Sequence, residues 1–311
     1  MSERAVCVIG TGLIGGSLMR AAEKAGRAVW GATASPSTAD DATADGFDVT
    51  VDTAAALRRA VDTDALVVLA VPLPALAGVL DLVGAHAPTC RLTDAVSVKV
   101  AVADLVAERA PHARFVGGHP MAGTSESGWG AGTAELFVDA AWVVASDDGA
   151  DPQVWADVAE LAWDCGARVV PAASDEHDLA VARISHLPHL LAAVLAAVGA
   201  EGDELALSLA AGSFADGTRV AGTRPELVLA MCEGNRDALL GAVDSALGRL
   251  GAMRGALAST GGLAKTVEAG HEARQRWAAA REPEQLRIRR GTGMAALRDI
   301  GRRGAVITGW K

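Results

Sequence analysis

The stretch "VCVIGTGLIGGSL", residues 6–18, decides how this chain folds. A short β-branched run leads into Gly10, Gly12 and Gly15, spaced G-x-G-x-x-G, and a helix-like segment opens at Leu13. Each glycine has a separate job. Gly10 permits a tight turn, Gly12 lets backbone approach a pyrophosphate, and Gly15 lets the helix pack closely on the strand. The helix start, with Leu13 and Ile14, then turns free N–H groups toward phosphate. Gly10, Gly12, Leu13, Ile14 and Gly15 are therefore candidate dinucleotide-binding residues. A glycine-rich turn of another purpose is the competing reading of the string by itself.

The surrounding pattern favours the dinucleotide. Strand-like runs at 5–9, 28–31, 65–71, 91–96, 114–117, 141–145 and 168–170 alternate with amphipathic stretches such as 13–25 and 100–110. Such alternation predicts right-handed crossovers and an α/β Rossmann-type, doubly wound, mainly parallel sheet over residues 1–171. The second strand runs into "VWGATASPST" (29–38), where an acid usually meets the adenosine ribose. Thr33 stands there, with Ser35 and Ser37 beside it and no arginine in the loop, so NAD and NADP both stay open.

After Pro171 the texture changes. "SDEHDLAVARISHLPHLLAAVLAAVGA" (174–200) reads as one long helical stretch with a Ser cap and early acids. It is apolar almost all round, which predicts burial on several sides. Leu239, Val243, Ala246, Leu250, Met253 and Leu257 recur at a heptad-like spacing, which suits internal packing or a dimer seam. Residues 172–280 are read as an all-α substrate and dimerisation domain. Residues 281–311 are read as a basic C-terminal tail, with eight Arg/Lys against three acids.

Bulk composition narrows the class. The 311 residues are half apolar, aromatics make up 4%, tyrosine is absent and the net charge is −10. An acidic chain repels phosphate backbones, so no nucleic-acid partner is expected. Four scattered cysteines, Cys7, Cys90, Cys165 and Cys232, fit a reducing compartment. No basic-then-apolar leader opens the chain, and the uncharged run 65–80 carries two prolines, so a soluble cytoplasmic protein without a membrane partner is expected.

In a doubly wound sheet, ligands lie at the carboxyl ends of the strands. "AVP" (70–72) brings Val71 and Pro72 there as further cofactor contacts, "VSVK" (96–99) brings Ser97 and Lys99, and "GGHP" (117–120) brings His119. A neutral imidazole is a suitable base for a substrate hydroxyl during hydride loss, and Ser97 could bond the same oxygen. A loop histidine bonded to backbone, and for Lys99 a surface lysine at a helix start, are the plainer alternatives. In "RISHLPHLL" (183–191), His186 and His189 share a helix face around the kinking Pro188 and are read as a substrate-binding wall. No metal site is expected, because H-E-x-x-H and paired cysteines are absent. "GSFADGTRVAGTRPEL" (212–227) offers Arg219 and Arg224, and a guanidinium fork suits a carboxylate.

Six ordered segments, "VIGTGLIGGSL", "LAVP", "TDAVSVK", "VGGHPMAGT", "SDEHD…SHLPH" and "GSFADGTRVA", resemble the prephenate/arogenate dehydrogenase family of tyrosine biosynthesis, its actinobacterial branch in particular. The resemblance implies a Rossmann domain, a helical dimerisation domain and an active site between them. It implies hydride transfer from ring C4 of prephenate or arogenate to NAD(P)+, with the ring carboxylate lost as CO2. By position, His119 would accept the 4-hydroxyl proton and Ser97 would help hold that oxygen. His186 and His189 would line the substrate, and Arg219 would bind a carboxylate; Lys99 and Thr124 are further candidate substrate contacts. A tight bond to the departing carboxylate would favour the ground state, so Arg219 either grips the side-chain carboxylate or mainly orients. Relatives carry a glutamate six residues after the histidine, where this chain has Ser125. The span 281–311 is too short for the regulatory domain some relatives append, so the sequence leaves feedback control by tyrosine open and without support. The rival readings are a β-hydroxyacid dehydrogenase, which would place a lysine on the 174–200 helix where none occurs, and an NAD(P)-sensing binding module, which leaves His119 beside Ser97 unexplained.

Overall fold

The computed structural model describes residues 4–124, 126–259, 261–280 and 282–311. The chain forms two units. One comprises residues up to Asp178 together with Gln285–Lys311, and the other spans Leu179–Glu284.

The first unit is built on β1 (Val6–Ile9), β2 (Val29–Ala32), β3 (Val49–Thr50), β4 (Leu66–Leu69), β5 (Arg91–Asp94) and β6 (Arg114–Phe115), all parallel, in the order β3-β2-β1-β4-β5-β6. Helices α1 (Leu13–Lys24), α2 (Pro36–Ala44), α3 (Thr53–Asp62), α4 (Leu73–His86) and α5 (Val100–Arg109) make the crossovers. The strand order reverses at β1 and β4, whose carboxyl ends open the crevice where such sheets bind ligands. Alternation divides β1 between two cores. Val6 and Val8 join one with Leu18, Leu66 and Val68, while Cys7 and Ile9 join the other with Leu57, Val67 and Leu76. Strands sealed on both faces read as unbroken apolar runs, which is why β1 and β4 are legible in the sequence.

A second sheet departs from the sequence reading. The run predicted as one strand over 114–117 is two: β6 ends at Phe115, and β7 (Gly118–Pro120) pairs antiparallel with β8 (Ala141–Ala145). A Cβ on Gly118 would sit 2.7 Å from the Asp94 carbonyl oxygen and 3.2 Å from Trp142 Nε1, so glycine lets the chain pass closely from one sheet to the other. Helix α6 (Pro152–Asp164) leads to β9 (Arg168–Ala172), which lies parallel to β8.

The basic tail is not a frayed end. Residues 285–311 fold as β10 (Gln285–Ile288), a helix at Met294–Arg302 and β11 (Val306–Trp310), completing the sheet order β10-β11-β9-β8-β7. Ile307 is fully buried, and its carbonyl accepts from Trp163 Nε1 at 2.8 Å. The tail's positive charge meets acids of its own unit, with Arg290 on Glu160, Arg298 on Asp148 and Arg302 on Glu176. The 281–311 segment is thus corrected from a tail to part of the nucleotide-binding unit, though Arg281 lies outside the described residues.

The second unit is helical. It begins at Leu179 in α7 (Ser174–Val181), whose residues up to Asp178 belong to the first unit, and continues through a π-turn at Ala182–His186 into α8 (Leu187–Ala200), followed by α9 (Asp203–Ser208), α10 (Gly212–Thr218), α11 (Pro225–Gly234), α12 (Arg236–Ala258) and α13 (Leu263–Ala279). Pro188 lies in the first turn of α8, and the widened turn before it accommodates the missing N–H. Ser174 is the first helical residue and donates its hydroxyl to Asp147 at 2.6 Å, so it is not the expected cap. The expected burial of 174–200 is also corrected within this chain. Ala192 is the one buried residue described in α8, whereas Leu191, Val194, Leu195 and Val198 are exposed. By length and composition the stretch meets the requirement for a membrane span. The heptad seam divides: Leu239 is buried against Ala182 and Cys232, while Leu250 and Leu257 are exposed.

Candidate active site

The glycine loop closes the β1 end on the β4 end. Gly10 has φ +96°, and a Cβ there would lie 2.6 Å from the Ala70 carbonyl oxygen and 2.7 Å from Val71 Cγ1. A Cβ on Gly15 would reach 1.9 Å from the Gly10 carbonyl oxygen, so α1 rests directly on the turn. Gly12 differs, since a Cβ there would meet nothing within 4 Å. Helix α1 has no side-chain cap, and Leu13 and Ile14 in its first turn are half-buried. Thr11 Oγ1 is buried with no hydrogen-bond partner among the described residues. An open glycine, uncapped N–H groups and an orphaned hydroxyl suit a pyrophosphate.

Thr33 follows β2 directly, and its Oγ1 accepts from Ser35 N at 3.4 Å. Ser35 caps α2 by accepting from Thr38 N at 3.2 Å, and its hydroxyl lies 3.0 Å from that of Ser37. The second strand therefore ends in hydroxyls. Val71 lies against Gly10, and Pro72 is the exposed, extended residue before α4.

Beyond β5 the structure assembles polar groups that the sequence reading did not connect. Lys99 is buried, its Nζ paired with Asp94 and donating to the Gly118 carbonyl at 2.6 Å. Asp94 also accepts from Gly118 N and Val96 N, each at 3.0 Å. Burial presses both groups toward their neutral forms, raising Asp94 and lowering Lys99, and their mutual attraction opposes it. Lys99 is corrected from substrate-binding residue to structural tie, because its ammonium is spent on Asp94 and on the residue before His119. It is equally no surface lysine.

His119 sits at the centre of β7, opposite Val143, and is half-buried. Its Nδ1 lies 2.8 Å from His177 Nε2, and His177 Nδ1 lies 2.8 Å from Asp178 Oδ1. The Asp178 carboxylate accepts from the backbone N–H of Lys99 at 2.8 Å and of Val100 at 2.9 Å, at the start of α5. Burial works to raise Asp178, but the His177 bond and the two backbone donors outweigh it and hold the group below the usual carboxylate range. Ser97 is half-buried in the bend between β5 and α5, and its hydroxyl has no hydrogen bond among the described residues. Thr124 is exposed, its Oγ1 accepting from Glu126 N at 3.2 Å, and Ser125 lies outside the described residues. Asp94, His177 and Asp178 went unread as site residues. The available signal was a His-Asp pair in the first turns of an otherwise apolar helix.

Of the remaining candidates, His186, His189 and Arg219 belong to the helical unit. His186 has no exposed surface, and its Nδ1 accepts from Asn235 Nδ2 at 3.1 Å. The Asn235 bond fixes the orientation of its ring. His189 is half-buried and donates from Nδ1 to the Ser185 carbonyl at 2.8 Å. Arg219 opens a short 3-10 turn, is exposed and has no ion pair among the described residues. The Cys7, Cys90 and Cys165 thiols are pushed up to about 12 by burial, so none supplies a thiolate near neutral pH.

Comparison with known proteins agrees with this layout. Residues 18–171 match the family model for the prephenate dehydrogenase nucleotide-binding domain, and residues 173–264 match that for the prephenate dehydrogenase dimerization domain. A cyclohexadienyl dehydrogenase of Zymomonas mobilis is 34% identical over 225 residues, covering 70% of this chain and 74% of the relative. A crystal structure from Corynebacterium glutamicum, provisionally described as a prephenate dehydrogenase, aligns with a TM-score of 0.94 at 45% identity over 99% of both chains. The arogenate dehydrogenase structure of Synechocystis aligns with a TM-score of 0.74 at 28% identity, over 88% of this chain and 99% of that one. Neither rival reading is favoured by these matches. With its glycine loop, its parallel sheet and its two matched domains, the chain belongs to the prephenate dehydrogenase family.

Proposed function

We propose that this chain is a prephenate or arogenate dehydrogenase of tyrosine biosynthesis, catalysing NAD(P)+-dependent oxidative decarboxylation of a cyclohexadienyl acid. Family membership supports the reaction class, and the anchored imidazole of His119 is the observation that carries the chemistry. NAD(P)+, held by Gly10, Gly12, Gly15 and the uncapped start of α1, would supply the hydride acceptor for ring C4. His119 takes the 4-hydroxyl proton as the hydride leaves, and Ser97 steadies the same oxygen. The electrons of the ring–carboxylate bond refill the ring, CO2 departs, and the resulting phenolate oxygen takes its proton back from the His119 imidazolium to give a phenol. Aromatisation supplies the driving force, so the protein's task is to orient the reactants and manage one proton. Arg219 holds a substrate carboxylate, a role that suits an exposed guanidinium with no ion pair among the described residues. His189 and Thr124 are retained as substrate contacts.

The same reading includes a homodimer formed through the helical unit, in the cytoplasm. The match to a dimerization domain supports it, as do the exposed Leu191, Val194, Leu195 and Val198 of α8. Exposed apolar side chains grouped on one helix suit an interaction surface.

The deciding assay crosses prephenate and arogenate with NAD+ and NADP+, following reduced nicotinamide absorbance and CO2. No turnover in any combination would remove the proposal. His119→Asn should lower kcat by roughly 10²- to 10⁴-fold, the usual contribution of a general base. Arg219→Ala should instead raise KM for the acid, and an unchanged KM would remove its anchor role. Sedimentation of Val194→Glu/Val198→Glu should show monomer where the native chain shows dimer.

A further inference from the structure

His119, His177 and Asp178 form one continuous run of hydrogen bonds, each link 2.8 Å long. The direction of that run can be read from its far end. Asp178 lies against two backbone N–H donors at the first turn of α5, where the helix field also favours an anion. An ionised carboxylate only accepts, so His177 Nδ1 carries the hydrogen that faces it. A neutral imidazole has one N–H, which leaves a lone pair on His177 Nε2. That lone pair accepts, so the hydrogen of the next link belongs to His119 Nδ1. The basic lone pair of His119 then stands on Nε2, at the other side of the ring.

We infer that His177, itself held by Asp178, is a positioning residue that fixes His119 in the Nδ1–H form and so presents Nε2 as the proton acceptor. The inference rests on the reading of His119 as the base. His177 and Asp178 are 3% and 5% exposed, so water competes little for either link. The same bonds favour the imidazolium that forms when His119 takes a proton, because the new charge meets a chain of dipoles ending in an anion. No proton needs to leave His177 for this, as in the aspartate-oriented histidines of hydrolase triads. The arrangement also accounts for Lys99. By fastening Gly118 from one side while its own backbone N–H fastens Asp178, it ties both ends of the run to the same turn.

The test uses the full chain with 15N-labelled histidine. His119 ring signals are assigned by their loss in His119→Asn, and one-bond and two-bond couplings show which nitrogen bears hydrogen. Hydrogen on Nδ1 is the expected result, and hydrogen on Nε2 overturns the inference whatever the variants do. Kinetically, His177→Phe should lower kcat on the order of 10- to 100-fold while KM for both substrates stays within about twofold, since a positioning loss is smaller than loss of the base itself. His177→Gln should recover much of that loss, because its Oε1 can still accept from His119 Nδ1. Equal turnover of folded His177→Phe and the native enzyme would also overturn the inference. The two failures are separable: an active His119→Asn removes the base reading, whereas an inactive one beside an Nε2–H His119 removes the relay alone.

Discussion

Lys99 and Asp94 are paired inside the nucleotide-binding unit with 1% and 0% of their surfaces exposed. An ion pair taken out of water is costly to form, and more costly to break on one side. Lys99→Met should therefore destabilise the protein by about 3–5 kcal/mol, since it strands a buried carboxylate. Urea unfolding measures this. A change below about 1 kcal/mol would mean that the ammonium is not what holds Asp94 and Gly118 together.

The glycines of the loop should separate cofactor binding from stability. Gly12→Val introduces side chain into space the protein leaves open, so KM for NAD(P)+ should rise at least tenfold with little change in melting temperature. Gly15→Ala places a methyl 1.9 Å from the Gly10 carbonyl oxygen and should cost about 1–3 kcal/mol or more through overpacking. Equal melting temperatures for the two variants would contradict the division of labour.

Asp178 sets a pH dependence with a definite sign. Its folded-state value lies below the unfolded one, so its stabilisation is complete above about pH 4 and is lost as the pH falls through the folded value. Asp178→Asn should be less stable than the native chain at pH 7, and the gap should close on acidification below about pH 4. A gap of constant size from pH 7 to pH 3 would show that the carboxylate's charge is not involved.

Removing the C-terminal segment should damage the fold. A chain ending at Glu284 loses β10 and β11, uncovers Val169 and Trp163, and frees Glu160, Asp148 and Glu176 from their arginines. Reburying Val306 and Ile307 alone is worth roughly 1.5–3 kcal/mol each. The truncated protein should show a lowered melting temperature and early proteolysis near β9. An unchanged melting temperature would restore the reading of residues 281–311 as a tail.

Sequence alone determined the elements whose cause is local. Strand β1, the three glycines and the start of α1 are legible because period, turn chemistry and spacing all lie within residues 6–18. His119 is legible as a chemical residue because a histidine among glycines before a proline has little packing purpose. Tertiary structure decided the rest, because those contacts join residues far apart in the chain. The strand carrying His119 belongs to a second sheet, a choice set by partners at 141–145 that no window around "GGHP" contains. Lys99 reads as a substrate contact, or as a surface lysine at a helix start, until Asp94 and Gly118 close over it. His177 reads as part of a helix start until folding brings it, from 58 positions away, to His119. The basic C-terminus reads as solvated until its arginines find acids at 148, 160 and 176. Charge and periodicity describe a segment; which face is covered, and by what, is a property of the closed chain.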